Sequence, residues 1–265
     1  MDNIKLYNGD CLEVMAELIT QGISVDCIIT DLPYETTKLK WDKHIPFEPM
    51  WDLINRIIKP NGAVILFGKE PFSSKLRMSN MNNWKYDWIW QKNTKSNFPQ
   101  APYQPLNNIE MVHVFSTGYA RGFPKEDKNY INIMPYYPQF EDGEAYNIPK
   151  ESKTTDIFSN NHKNGVYKHK VRDTSKRYPY NTLKFDVDRV KVHSTQKPVS
   201  ILEYLIKTYT LEGQIVLDFT AGSMSTGVAC ANTNRKFIGI EKDNDIFNIG
   251  KSRIELHLKE NGKQW

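Results

Sequence analysis

Asp31-Leu32-Pro33-Tyr34 brings a carboxylate, a backbone carbonyl of fixed direction and an aromatic ring into four consecutive residues. Asp31 and the Leu32 carbonyl can each accept a hydrogen bond from an NH2 group, while the Tyr34 ring can stack on a flat base. Pro33 sets the direction of that carbonyl, because a proline forces the residue before it out of helical angles. With both amino protons drawn toward acceptors, the nitrogen becomes more tetrahedral and more nucleophilic. The plain alternative is a strand followed by an Asp-x-Pro turn, since both residue types favour turns.

A second chemical group lies near the C-terminal end. The run 213–218 reads as a strand closed by Asp218, followed by the small-residue turn Phe219-Thr220-Ala221-Gly222-Ser223 and a helix that includes Thr226. A further strand, 236–240, is closed by Glu241 and followed by Lys242. In such a βαβ unit the turn admits a ligand close to the backbone, the helix N-terminus favours an anion, and the second acid can bind a ribose diol. A nucleotide-like cofactor follows, although the G-x-G-x-x-G spacing of dinucleotide enzymes is absent. Lys197 stands just ahead of a helix expected from Pro198 onward, where a cation opposes the helix dipole and an anionic partner would remove the conflict. Asp10, at the end of the strand 4–7, reads as a loop acid or a helix N-cap.

Both groups need strands to aim them. The run 25–29 is apolar and rich in β-branched residues, as expected of a buried central strand in an open α/β sheet, and ligands bind beyond the carboxyl ends of such strands. Further strands are expected at 63–67, 85–90 and 109–115, and helices at 12–19, 49–58 and 72–81. The polar segment 35–42 reads as a loop over the site. Between the third and fourth of these strands, Lys92, Asn93, Lys95 and Phe98 form a basic, amide-rich loop suited to phosphates and bases. From residue 116 to 190 periodicity fades, and a structureless loop of that length is implausible in a compact domain, so an inserted module is expected. Its Lys168, Lys170, Arg172, Lys176 and Arg177, interleaved with tyrosines, form a local basic patch suited to nucleic acid, or else a solvated segment.

Composition sets the outer bounds. A chain of 265 residues can hold one large α/β domain with an insertion. Its mean hydropathy of −0.59, with no apolar run near the roughly 18 residues of a membrane span, leads to the expectation of a cytoplasmic protein without membrane partners. Cys11, Cys27 and Cys230 lack C-x-x-C spacing, so neither a disulfide framework nor a metal site is expected. The net charge of +4 constrains partners less than the clustering of charge does.

These pieces carry a resemblance. Asp31-Leu32-Pro33-Tyr34 resembles the (Asp/Asn/Ser)-Pro-Pro-(Tyr/Phe/Trp) motif of amino-group DNA methyltransferases, with Leu32 in place of a proline. The run from Asp218 to Thr226 resembles that family's Asp-Pro-Phe-x-Gly-Ser-Gly-Thr-Thr turn, with Phe219 for proline and Met224 where a second glycine is usual. His193-Ser194-Thr195-Gln196-Lys197-Pro198 is similar to its His-x-Thr-Gln-Lys-Pro segment, and Asn8-Gly9-Asp10-Cys11 to its acidic turn beside the adenine of the cofactor. The order of the motifs is that of the β-type circular permutation.

The resemblance implies a Rossmann-like, circularly permuted methyltransferase sheet. Its catalytic half would occupy 1–118, a DNA target-recognition insertion 119–191, and its cofactor half 192–265. It further implies S-adenosylmethionine as cofactor, held by Asp10, Cys11, Asp31, Lys197, the turn 218–223, Thr226, Glu241 and Lys242. Double-stranded DNA is the implied partner, with a homodimer and a cognate restriction endonuclease left open. The expected reaction is methyl transfer to the amino group of a flipped-out adenine. Cytosine-N4 methylation, methylation of RNA or a free amino compound, and DNA binding with a degenerate cofactor site stand as alternatives. No cysteine sits in a Pro-Cys pair, which argues against carbon-5 chemistry.

Overall fold

The computed structural model describes residues 3–35, 43–122, 128, 130–145, 175–188 and 196–262. In chain order the elements are β1 (Ile4–Asn8), α1 (Cys11–Thr20), β2 (Val25–Asp31), α2 (Phe47–Ile57), β3 (Ile58–Gly68), α3 (Phe72–Ser79), β4 (Trp84–Ser96), β5 (Asn107–Phe115), β6 (Glu141–Asp142), β7 (Lys176–Arg177), β8 (Thr182–Lys184), α4 (Val199–Tyr209), β9 (Ile215–Asp218), α5 (Ser225–Asn232), β10 (Lys236–Glu241) and α6 (Asn244–Glu260). By contacts the chain divides into two units, Met1–Tyr137 with Asn181–Trp265, and Pro138–Tyr180. Within the span 119–191, β8 pairs with β4 inside the first unit, and the Tyr119 amide bonds to the Asn132 carbonyl there.

The first unit is built on an eight-stranded sheet of order β1-β10-β9-β2-β3-β5-β4-β8. The pairs β1–β10, β10–β9, β9–β2 and β2–β3 are parallel, whereas β5 runs antiparallel to both β3 and β4. Counted from β9 through β10 to β1, β2 and β3, the parallel strands take the doubly wound order 3-2-1-4-5, so the chain is a circular permutation of a Rossmann-like sheet. Side chains alternate across it. Ala63, Ile65 and Phe67 of β3 pack with residues of α4, α5 and α6, while Val64 and Leu66 pack with residues of α1, α2 and α3. With helices on both faces the central strands are buried on both sides, which is why β2 and β9 read as largely apolar runs, interrupted in β2 by Asp26.

Helices form where apolar residues fall on one stripe. In α2, Met50, Trp51, Leu53, Ile54 and Ile57 are buried, Phe47 is half-buried against the ring of Phe72, and the remaining positions face water. Two elements outrun the sequence expectation. β3 starts at Ile58 and passes through Pro60-Asn61-Gly62, and β4 continues to Ser96, so Lys92, Asn93 and Lys95 lie on a strand of a long hairpin rather than in a loop. Among the described residues, no helix is long and apolar enough to cross a membrane.

Ser73, His113 and Asp87 form a chain resembling a hydrolytic triad. Nε2 of His113 lies 2.9 Å from Ser73 Oγ, and Nδ1 lies 2.7 Å from Asp87 Oδ1. Ser73 and His113 are fully buried, and a Cβ on Gly68 would sit 2.6 Å from Ser73 Oγ, so no substrate reaches the hydroxyl. The arrangement ties α3 to β4 and β5. His113→Ala is expected to lower unfolding free energy by about 3 kcal/mol in urea titration, because it empties buried volume and strands two polar partners.

The second unit, Pro138–Tyr180, contains a ribbon of β6 and β7 among its described residues. Lys176 pairs with Asp142, Arg177 donates to the Glu144 carbonyl, and the Phe140 and Tyr178 rings lie 4.8 Å apart. Lys168, Lys170 and Arg172 lie outside the described residues, as does most of the loop expected at 35–42.

Candidate active site

The strand order reverses between β9 and β2, and the two acids singled out in the sequence end these neighbouring strands. Asp31 and Asp218 line a cleft of about 570 Å³ that also takes in Asp10, Lys197, Gly222 and Glu241, so residues 31–34, expected to be catalytic, and the expected cofactor residues share one cavity. Its volume is that of a site for a nucleoside-sized ligand.

At one end, Tyr34 Oη donates to Asp31 Oδ1 at 2.5 Å, and the Tyr34 ring lies 5.0 Å from that of Phe72. Lys197 Nζ reaches Asp31 Oδ2 at 2.5 Å and Glu110 Oε1 at 2.9 Å, while Lys92 holds the other Glu110 oxygen. The anion that relieves Lys197 at the start of α4 is thus a pair of protein carboxylates. Burial, reinforced by the charge of Glu110, pushes the Asp31 carboxyl up despite Lys197. Burial also raises the Tyr34 phenol, further raised by the two acids, so it stays protonated and able to donate. Pro198 takes the N-cap position of α4, while His193, Ser194 and Thr195 lie outside the described residues.

At the other end, Asp218 organises the turn. Its Oδ1 accepts from Thr30 Oγ1 at 2.5 Å and the Thr220 amide at 3.2 Å, and its Oδ2 from Thr226 Oγ1 at 2.6 Å. Glu241 accepts from the Gly222 amide at 2.9 Å and the Asp243 amide at 2.8 Å, which fixes the turn against the end of β10. Phe219, Ala221 and Ser223 are buried behind it. Asp10 is both things expected of it: it caps α1 through the Leu12 amide and faces the cleft, where Lys242 pairs with it at 2.9 Å. Burial pushes the Cys11 thiol up to about 12, so it acts as packing rather than as a nucleophile.

Burial lifts Asp218 to about 6 against its three hydrogen bonds. Because that value lies above the ordinary 3.8, the folded chain holds an extra proton between the two, and stability falls as pH rises through that window. Relative to Asp218→Asn, the parent chain is expected to gain about 1 kcal/mol in urea unfolding between pH 7 and pH 5.

Met224 stands where the resemblance has a glycine and adopts the left-handed backbone that favours glycine, with φ of 59° at the head of α5. Its buried side chain fills space beside two other glycines: a Cβ on Gly250 would lie 2.5 Å from Met224 Cγ, and one on Gly239 would lie 3.0 Å from its sulfur. Gly250→Ala is expected to cost about 2 kcal/mol in thermal unfolding. Met224→Gly should rescue it only in part, since the Gly222 carbonyl remains 2.9 Å from the added methyl.

The residues expected to meet DNA are dispersed. Lys95 and Phe98 are exposed on the hairpin between β4 and β5, whereas Lys92 turns inward to Glu110 and the Asn93 side chain accepts from the Val187 amide. Sequence reasoning missed Thr30, Glu110 and Arg253. Arg253 Nη1 donates to the Ser223 carbonyl at 2.9 Å and to Ser225 Oγ at 2.8 Å, bracing the turn from α6. An acid inside the apolar run 109–115 was the visible signal for Glu110.

A family model described as DNA methylase, of the N6/N4 methyltransferases, matches residues 25–252. DNA adenine methyltransferase YhdJ of Escherichia coli (strain K12) is 24% identical over 266 residues, covering 95% of this chain and 82% of that protein. The type II methyltransferase M.HindIII of Haemophilus influenzae is 47% identical over 64 residues, which span 24% of this chain but only 21% of the relative. Among solved structures, the M1.HpyAVI–SAM complex has a TM-score of 0.59 at 25% identity, covering 94% of this chain and 99% of that one. A cleft that joins the two acids at the switch point, together with a family match over most of the sequence, establishes that the chain belongs to the N6/N4 DNA methylase family.

Proposed function

We propose that this DNA methyltransferase carries a methyl group from S-adenosylmethionine to the exocyclic amino group of an adenine flipped out of double-stranded DNA. The observation that carries the reading is the single cleft containing both Asp31-Leu32-Pro33-Tyr34 and the turn held by Asp218 and Glu241. The donor set suits the cofactor: Glu241 presents a carboxylate to a ribose diol, and Asp10 lies beside the same wall. When bound, the cofactor supplies an electrophilic methyl on its sulfonium. Asp31 and the Leu32 carbonyl orient the amino group and stabilise the positive charge that develops on its nitrogen. Tyr34 offers its ring to the flipped base, whose extrusion costs a few kcal/mol. Adenine is favoured by the likeness to YhdJ, named an adenine methyltransferase, and cytosine-N4 is the second reading because the family includes both.

DNA would be gripped by the exposed Lys95 and Phe98 of the hairpin and by the basic stretch that includes Lys168, Lys170, Arg172, Lys176 and Arg177. A cognate endonuclease fits the type II name of M.HindIII. The test is single-molecule sequencing of DNA from cells expressing the chain, with isothermal titration of S-adenosylmethionine. Cofactor binding and a modified adenine in a fixed sequence context are expected. Absence of cofactor binding would leave a DNA-binding module instead.

A further inference from the structure

Next to the reacting acid lies a compact charge cluster made of Asp31, Lys197, Glu110 and Lys92. Glu110 sits on β5, opposite Trp90 of β4, and is almost fully buried. Lys197 is largely but less completely enclosed, its Nζ bridging the two carboxylates beneath the ring of Phe67 at 5.1 Å. Lys92, two residues along β4 from Trp90, closes the cluster from its more open side with its ammonium 4.6 Å from the Trp90 ring. Tyr34 Oη, which donates to Asp31, also lies 3.4 Å from Glu110 Oε1. Two acids and two bases balance in charge, although such groups are expensive to bury.

Asp31 faces a conflict under the proposed function. To accept a hydrogen bond from the base amino group it must loosen its bond to Lys197, and a buried ammonium left without a carboxylate is costly. We propose that Glu110 is a positioning residue, the second seat of the Lys197 ammonium, which lets Asp31 exchange that cation for the amino group of the target base. In the transfer the N–C bond forms as the S–C bond breaks, the sulfonium becomes a neutral thioether, and the amino nitrogen gains a positive charge that it loses with a proton. Asp31 faces that proton, and Lys197 can lean onto Glu110 as Asp31 engages it. Lys92 keeps Glu110 ionised, since its ammonium and that of Lys197 hold the carboxyl below its ordinary value against burial.

This role rests on the proposed function and is tested by rates rather than by stability. The titratable groups facing Asp31 are Tyr34 on its own loop, Lys197 ahead of α4, Glu110 on β5 and Asp218 at the end of β9, with Lys43 and His44 lining the same cleft. Glu110→Gln should lower kcat about 30-fold, leave KM for S-adenosylmethionine and DNA within about 3-fold, and move the acidic limb of the pH–rate profile to lower pH, because a like charge beside Asp31 is gone. Lys92→Met should give a smaller loss of kcat, and Glu110→Asp should recover part of the Gln loss. Titration of S-adenosylmethionine into each variant reports that the fold and pocket persist. Wild-type transfer with Glu110→Gln unchanged in kcat and pH limb overturns this role alone, as does a loss confined to KM or to cofactor binding. Failure of the wild-type chain to methylate any DNA amino group overturns the proposed function, and this role with it.

Discussion

Asp31→Ala is expected to reduce methyl transfer about a thousandfold while leaving the affinity for S-adenosylmethionine within a few-fold. Under the proposed function the acid acts where charge develops, and removing one such preorganised partner from a dry site characteristically costs about two to three powers of ten in rate. Cofactor affinity should survive because the wall proposed to carry it is built by other groups: Glu241 fixes the Gly222 amide, and Asp218 is bonded to Thr30, Thr220 and Thr226. Lys197 keeps Glu110 as a partner in the variant, so no buried cation is stranded. Single-turnover transfer to duplex DNA, paired with calorimetric titration of the cofactor, separates the two effects. Full activity in the variant removes Asp31 from the mechanism.

Glu241→Ala is expected to do the reverse, weakening S-adenosylmethionine roughly 100-fold with little change in kcat at saturation. The carboxylate accepts from the Gly222 and Asp243 amides, and hydrogen bonds to a charged group are each worth about 1.5–3 kcal/mol. Its loss unties the turn from the end of β10 as well as removing the expected ribose acceptor. Burial raises the Glu241 carboxyl above its ordinary range, so the parent chain should itself bind cofactor less tightly as acid protonates this group. Titrations at two pH values in parent and variant check both effects.

The central sheet was legible because its strands are buried on both faces. The run 25–29 and the run 213–218 needed only apolar continuity and a closing acid to be read, and Asp31 and Asp218 are where those acids stop the strands. The far end of β4 was not legible. Lys92, Asn93 and Lys95 alternate around an exposed hairpin arm whose partner strand resumes at Asn107, so nothing in their polarity distinguishes a strand from a loop. The start of β3 misled for the opposite reason: Pro60-Asn61-Gly62 looks like punctuation, yet the edge of the parallel pairing with β2 accommodates it, and a Cβ on Gly62 would lie 2.8 Å from the Asp26 carbonyl. For the site, composition and order exposed every strand-end acid, whereas the partnership of Lys197 with Glu110 joins β5 to the head of α4 over a long separation in sequence. Pairings of that kind are set by the sheet order, which no local pattern encodes.

The left-handed Met224 shows a local departure absorbed by its surroundings. A side chain where a glycine is usual would crowd the turn, except that Gly239 and Gly250 leave room for it. The departure therefore bears on the packing behind the turn and leaves the Gly222 amide and the Asp218 hydrogen bonds in place.

The most direct measurement is the identity of the nucleoside that receives the methyl. Duplex DNA incubated with the purified chain and S-adenosylmethionine carrying a deuterated methyl, then digested and resolved by mass spectrometry, should yield deoxyadenosine labelled on its N6 nitrogen and no label on carbon. Label on cytosine carbon 5, or no labelled nucleoside under conditions where calorimetry shows the donor bound, would contradict amino-group transfer in the Asp31 cleft.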